Sequence, residues 1–470
     1  MSNSPAQPGG IRSATTYNPV MIHPARICCL NDDPVCEGPY VLYWMQTSQR
    51  AEHNHALEYA VAEANRLDRP LVVAFGLTDG YPEANQRHYV FMLQGLRDVN
   101  AALRHRGIRF VVQLASPDTA ALNLTRNASL VVCDRGYLRH QKQWRQRVAE
   151  HAHRRVVQVE TDVVVPVEAA SDKHEFSART IRPRIHRLWD DFLHGLRAFP
   201  LKRTSLSLNV PSDIDPDDID GSLARLDIDR TVAPSPRFVG GTTHARRILR
   251  QFLRENLRGY ADRHDDPALA ASSTLSPYLH FGQISPVEIA LEVLRRPRAT
   301  AADRDAYLEQ LIVRRELSIN HVHYTAAYDS YDCLPLWARL TLRQHRRDKR
   351  PYLYTRDQLD AAATHDPFWN AAQREMVRTG FMHGYMRMYW GKKILEWKRT
   401  PQAAFADALY LNNRYFLCGR DPNAYGNVAW LFGLHDRPFS PRPVFGTVRY
   451  MNAAGLQRKF DMSGYLRSNT

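Results

Sequence analysis

Residues 363–397 read A-T-H-D-P-F-W-N-A-A-Q-R-E-M-V-R-T-G-F-M-H-G-Y-M-R-M-Y-W-G-K-K-I-L-E-W. The stretch sets Trp369, Trp390 and Trp397 in a strongly basic, helical context. Trp390 and Trp397 are seven residues apart. On a helix they share nearly one face, roughly 10 Å apart along the axis at about 1.5 Å per residue. Aromatics that close could pass an electron from one to the next. A buried aromatic face is the plainer reading of the same spacing.

Outward from this stretch, the patterns from Thr242 onward are almost all helical, as in Ile248–Leu257, Pro286–Leu294, Ala306–Ile319 and Met382–Trp397. Residues 239–470 therefore read as one large helical domain. Residues 38–165 read differently. Val41–Met45, Leu71–Leu77, Phe110–Leu114, Leu130–Cys133 and Val156–Val159 are short and rich in β-formers, with amphipathic stretches between them. One such stretch carries Leu57, Ala60, Val61 and Ala64; another carries Val90, Leu93, Leu96, Val99 and Leu103. That alternation predicts an open parallel sheet covered on both faces. No G-x-G-x-x-G follows the first strand. Ligands of such sheets sit beyond the C-terminal strand ends, here near Trp44, Met45 and Gln46. Residues 166–238 read as a connection, with a helix at Ile185–Leu196 and a solvated Ser/Pro/Asp-rich linker at 204–238. A calcium loop starting at Asp213 fails, because Asp218 and Ala224 stand where Gly and Glu are needed. Residues 1–37 read as a disordered tail.

The chain has 470 residues, enough for two or three domains, and is 44% hydrophobic. No apolar run approaches the roughly 20 residues of a membrane span. The first 18 residues lack a signal peptide's apolar core. Net charge is +14, and residues 239–470 hold 34 Lys and Arg against 22 Asp and Glu. A basic C-terminal half implies a polyanionic partner, nucleic acid first. Six scattered cysteines fit neither a zinc pattern nor a disulfide scaffold, which places the chain in a reducing cytoplasm.

Hydrolytic motifs fail: there is no G-x-S-x-G, no P-loop, and His174-Glu175 lacks the second histidine of H-E-x-x-H. The other histidines are scattered, and no metal site is expected. Two segments differ in kind. Ser272, Ser273, Thr274 and Ser276 offer hydroxyls at the head of Thr274-Leu275-Ser276-Pro277-Tyr278-Leu279-His280-Phe281-Gly282-Gln283-Ile284-Ser285, which turns helical near Pro286. Hydroxyls and free N–H groups before a helix can hold an anion such as a dinucleotide phosphate, or merely cap the helix. Asn412-Asn413-Arg414-Tyr415-Phe416-Leu417-Cys418-Gly419-Arg420-Asp421-Pro422-Asn423-Ala424-Tyr425 reads as a tight, polar, aromatic-lined loop between helices, with Trp430 beyond it.

With these residues in view, the chain from about residue 38 resembles the class II DNA photolyases of the photolyase/cryptochrome family. The Leu275-Ser276-Pro277-Tyr278-Leu279 run is similar to the family's FAD-holding signature. The resemblance extends through Tyr43-Trp44-Met45, Gln49-Arg50-Ala51-Glu52, Lys173-His174-Glu175, Arg182-Pro183, Arg449-Tyr450-Met451-Asn452 and Arg458-Lys459-Phe460-Asp461. It implies an α/β antenna domain joined to an all-α FAD-binding domain, and light-dependent splitting of cyclobutane pyrimidine dimers in DNA. It assigns electron transfer to Trp390, Trp369 and Trp397, reducing oxidised flavin with electrons relayed from the surface. It assigns the lesion pocket to Gln310, Arg314, Trp430 and His264. It assigns FAD to Tyr260, Ser273, Thr274, Leu275, Ser276, Arg315, Asn320, Arg387, Asn412, Cys418, Arg420 and Asp421. A second antenna chromophore of deazaflavin or folate type, a DNA partner (double or single stranded), a monomeric state and no membrane follow from the same likeness. So does a cytoplasmic location, at the nucleoid in a bacterium or in the nucleus of a eukaryote.

Four positions around one cavity depart from the family pattern. Gln310 stands where a glutamate is usual, and Cys418 where an aspartate would pair with Arg387. His264 and Asp265 replace an arginine and an asparagine. The loop before His435-Asp436 is one residue short. These departures keep open a cryptochrome-like photoreceptor, and a light-independent DNA-binding flavoprotein.

Overall fold

The structure, a computed structural model, describes residues 22–469. Six strands form one sheet: β1 (Ile27–Cys29), β2 (Tyr40–Trp44), β3 (Leu71–Leu77), β4 (Arg109–Leu114), β5 (Ala128–Asp134) and β6 (Val156–Val159), in the order β1-β6-β5-β2-β3-β4. Strands β2 to β6 pair in parallel, with Val41 opposite Leu71 and Val131 opposite Val156. The central strands β2, β3 and β5 are buried along their whole length. Runs of Val, Leu and Ala with both faces covered are what a parallel sheet requires. Helices α1 (His55–Arg66), α2 (Gln86–His105), α3 (Pro117–Thr125) and α4 (Arg139–His151) supply the cover.

Two boundaries differ from the sequence reading. Residues 22–37, expected in the tail, include β1, which runs antiparallel to β6 with Ile27 opposite Val159. Three residues, of which Cys28 and Cys29 are exposed, give no alternation to read, so only the partner strand reveals them. The rest of that tail, residues 1–21, lies outside the described residues. The 204–238 stretch is not a free linker either. It runs along β4, where the Asp213 N–H donates to Val112 O at 2.8 Å and Ile214 and Leu226 enter the α/β core. Its polarity reflects backbone and hydroxyl pairing with a strand edge, as in Ser212 Oγ accepting from the Val112 N–H.

The second half is helical, as the patterns imply. The helix expected at Ile185–Leu196 starts earlier and spans Ala178–Phe192. Buried polar contacts dock the two halves. The fully buried Arg50 guanidinium bonds Asp162 at 2.7 Å and Gly282 O at 2.8 Å. Glu316 accepts from the Val164 N–H at 2.6 Å. Arg87 of α2 donates to Met376 O and Tyr415 O. Among the described residues, no helix is long and apolar enough to cross a membrane.

Candidate functional site

The three tryptophans converge, in an order their spacing did not reveal. Trp369 sits on helix Pro367–Thr379; Trp390 and Trp397 sit on helix Gly384–Trp397. Asp366 caps the first helix through the Phe368 and Trp369 N–H groups. The Trp369 ring lies parallel to Trp390 (6.4 Å between centroids, 7°) and at 66° to Trp397 (5.5 Å). So Trp369 bridges the two residues that share a helix. All three rings are buried. Trp397 does not itself reach the surface; Tyr354 and His365 each lie 5.3 Å from it.

Arg387, one turn before Trp390, lies in the second cluster. Its guanidinium carbon lies 3.7 Å over the Phe416 ring, and Nη2 donates to Cys418 Sγ at 3.4 Å. A thiol thus takes the place of the carboxylate expected there. Arg387 Nε finds no partner among the described residues, and neither does Nε of the buried Arg420, which stands at φ 63°. Asp421 feels Arg315, Arg387 and Arg420, yet burial outweighs all three and lifts its carboxyl to about 6. Asn412 donates to Asn413 Oδ1, and Asn413 Oδ1 also receives the Arg420 N–H. Loop 412–421 therefore gathers cations and polar groups in a dry place.

The hydroxyl-rich segment adjoins this loop: His280 Nδ1 meets Leu417 O at 2.8 Å. Thr274 holds φ 53°, a left-handed conformation costly for a β-branched residue, by about 1–3 kcal/mol. Leu275 is buried and Ser276 opens the short helix Ser276–His280. Ser273 hydrogen-bonds Tyr307, which packs edge-on against Tyr260. His264 stacks on Tyr260 (4.8 Å, 21°), and its carbonyl meets His383 Nε2, just ahead of the Trp390 helix. Asn320 does not join the set. Its amide accepts from the Glu175 N–H at 2.7 Å and donates to Lys173 O at 2.9 Å, so both ends hold the 173–175 loop.

Gln310 is exposed on a π-helical turn, Glu309–Arg314. Such turns re-aim side chains and recur at functional sites. Arg314 pairs with Glu309 at 3.0 Å. Helix Arg315–Tyr324 crosses helix Pro422–Leu431 where Gly426 meets Ser318, leaving no room for a side chain at Gly426. Trp430 lies one turn beyond that crossing, half-buried. Lys392 Nζ lies 5.1 Å and the Arg449 guanidinium 5.6 Å from its ring. Burial lowers the Lys392 ammonium to about 7.

A cleft opens between the halves, beyond the C-terminal ends of β2, β3 and β5, and reaches the 412–421 loop. Met45, Gln46 and Arg135 line one side, and His280, Arg315 and Arg420 the other. Met45 and Gln46 match the sequence expectation. Trp44 does not: it is fully buried inside the sheet's core.

The DNA photolyase family profile matches residues 41–202. A deoxyribodipyrimidine photo-lyase from Methanothermobacter thermautotrophicus is 50% identical over 95% of this chain and 98% of its own length. The chain belongs to the DNA photolyase family. The photolyase fold also appears in solved structures of low identity. An archaeal photolyase from Sulfolobus tokodaii, solved with two FAD molecules, gives a TM-score of 0.67 at 16% identity, covering 92% of this chain and 90% of its own. A Synechocystis cryptochrome gives 0.72 at 15% identity, covering 92% and 89%.

Proposed function

We propose that the protein is a light-dependent DNA repair enzyme, a carbon–carbon lyase that splits cyclobutane pyrimidine dimers and binds FAD in its helical domain. The observation that carries this reading is the buried series Trp390, Trp369, Trp397 beside the Arg387 and 412–421 cluster.

The residues present suit FAD. The Nε atoms of Arg387 and Arg420 are buried without partners among the described residues, as an anionic dinucleotide would require. Thr274, strained into a left-handed turn, and Ser276 present hydroxyls to its phosphates. Tyr260, Ser273, Leu275, Arg315, Asn412, Cys418 and Asp421 complete the lining. When bound, FAD supplies the light-excited electron donor; the chain binds, orients and excludes water. The tryptophans carry electrons inward when the cofactor is oxidised. Trp430, flanked by Lys392 and Arg449, offers a platform for a flipped-out base. Gln310, Arg314 and His264 contribute polar contacts to the lesion, and the basic surface contacts phosphates in a salt-dependent way. The α/β side of the inter-domain cleft, at Met45, Gln46 and Arg135, takes a second, light-harvesting chromophore. The protein works as a monomer on DNA.

A second reading is a cryptochrome-like photoreceptor, favoured by the Arg387–Cys418 contact in place of an ion pair. One experiment separates them. The flavin content of the purified protein and its repair of a defined thymine dimer under blue light are measured together. Bound flavin with repair supports the enzyme; bound flavin without repair supports the photoreceptor. A protein that takes up no FAD, or takes it up equally after Thr274→Ala with Ser276→Ala, removes the assigned site.

A further inference from the structure

The sequence shows histidines scattered along the chain, but the fold brings three of them together. His174 lies on the loop before helix Ala178–Phe192, His321 on helix Arg315–Tyr324, and His435 on the loop after Trp430. Their rings form a triangle with centroid separations of 5.1, 5.8 and 5.6 Å. One ring nitrogen from each lies within 4.8 Å of the other two. His174 Nε2 and His321 Nδ1 are 3.3 Å apart. Two imidazoles on a tetrahedral zinc, at Zn–N of about 2.0–2.1 Å, have their nitrogens about 3.3–3.4 Å apart. That pair already has the required spacing, and a movement of roughly 1.5 Å brings the third nitrogen into it.

We propose that His174, His321 and His435 form a three-imidazole site for a divalent late first-row transition metal, represented by Zn²⁺, with one coordination position left open. The ligand chemistry is that of neutral nitrogen donors, which suit zinc, copper, nickel and cobalt, not magnesium or calcium. Three rings this close could not all be cationic. Nε2 of His435 finds no hydrogen-bond partner among the described residues, while His321 Nδ1, beside His174, also meets Thr325 Oγ1 at 3.3 Å. A cluster held by hydrogen bonds alone would not leave that buried His435 nitrogen unpaired.

The site ties together three chain segments. His435 stands at φ 60°, a left-handed conformation that a coordination bond would help hold. Its neighbour Asp436 bonds Arg449 at 2.9 Å, and Arg449 lies over Trp430. A metal here would brace the loop that supports one side of the Trp430 pocket. The inference stands apart from the repair reading, since it rests on the three imidazoles alone.

The test uses full-length protein stripped with a chelator and then titrated with Co²⁺, followed by calorimetry and by ligand-field absorption in the visible. The expected result is one Co²⁺ per chain with tetrahedral-type bands, displaced by Zn²⁺. His435→Ala and, separately, His174→Gln should weaken binding by more than the roughly 10–100-fold that outer-shell changes cost. Circular dichroism checks that each variant is folded. The exposed Cys28 and Cys29 are the competing site, so Cys28→Ser with Cys29→Ser should leave Co²⁺ binding unchanged. No stoichiometric uptake by the wild type, uptake unchanged in both folded histidine variants, or uptake lost in the cysteine variant would each overturn the proposal.

Discussion

The Trp369 indole lies parallel to that of Trp390 and donates its Nε1–H to the Trp390 carbonyl at 2.9 Å. One residue thus stacks on its neighbour's ring and is pinned to that neighbour's backbone, while its other side meets Trp397. Trp390 Nε1 is held in turn by Gln373 at 2.8 Å. The rings are fixed in both position and tilt.

Trp369→Phe should interrupt electron delivery more completely than its position in the chain suggests, because the direct Trp390 to Trp397 route lacks the bridging ring. Photoreduction of the oxidised flavin should slow by an order of magnitude or more, and Trp390→Phe should do the same. Repair by chemically reduced protein should be unaffected. The lost Nε1 hydrogen bond costs about 0.5–1.5 kcal/mol of stability, since the Trp390 carbonyl keeps its helical donor. Flavin absorbance under steady illumination is the measurement. Reduction at the wild-type rate in both variants would make these rings packing residues.

Gln310→Glu should raise the yield of dimer splitting. A carboxyl can give a proton or a charge-assisted hydrogen bond, worth about 1.5–3 kcal/mol against about 1 for a neutral one. A gain of around 1 kcal/mol corresponds to a severalfold increase. Gln310 is exposed on its π-turn, so the change costs little in folding. Quantum yields of the two proteins on one defined dimer decide it. Equal yields would show that the amide already serves.

Glu316 gives stability a pH dependence. Burial raises its carboxyl to about 8, although the Val164 and Val165 N–H groups both donate to it. The unfolded chain releases that proton near pH 4.3. Between these values the folded chain holds the proton and the unfolded chain does not. This part of the stability is therefore complete below about pH 4.3 and is lost as pH rises toward and through about 8. Glu316→Gln removes the titration. Its urea-unfolding free energy should fall less than wild type's between pH 5 and pH 8. Parallel curves for the two proteins would rule the assignment out.

Gly282 is a tight joint between the halves. It holds φ 62°, and a Cβ there would stand 1.9 Å from Thr47 O. Its own carbonyl accepts from Arg50. Gly282→Ala should cost at least about 1–3 kcal/mol from the strained φ, with a comparable steric cost added. Thermal unfolding measures the loss, and a variant within 1 °C of wild type would contradict the geometry.

Much of the fold was legible in local pattern. The β-rich runs at Leu71–Leu77 and Val156–Val159 match their strands end for end, because a strand buried on both faces is predominantly apolar. The hydroxyl-rich segment and the Cys418–Asp421 loop were visible because Gly, Pro, Ser and Asp mark backbone that leaves a helix. The three-residue strand β1 was not visible, nor was the docking of 204–238 along β4. Their stability comes from hydrogen bonds to a partner strand, not from their own periodicity.

Sequence alone determined the helical and α/β halves, the basic C-terminal half and the residue types available for chemistry, since these follow from periodicity, charge and composition within each segment. Tertiary structure alone decided which residues meet. It placed Trp369 between two tryptophans of another helix, gave Arg387 a thiol and a phenyl face as neighbours, and committed Asn320 to a loop. It also gathered His174, His321 and His435 from three distant segments. Contacts of that kind depend on how helices cross and loops close in space, and chain spacing carries no record of it.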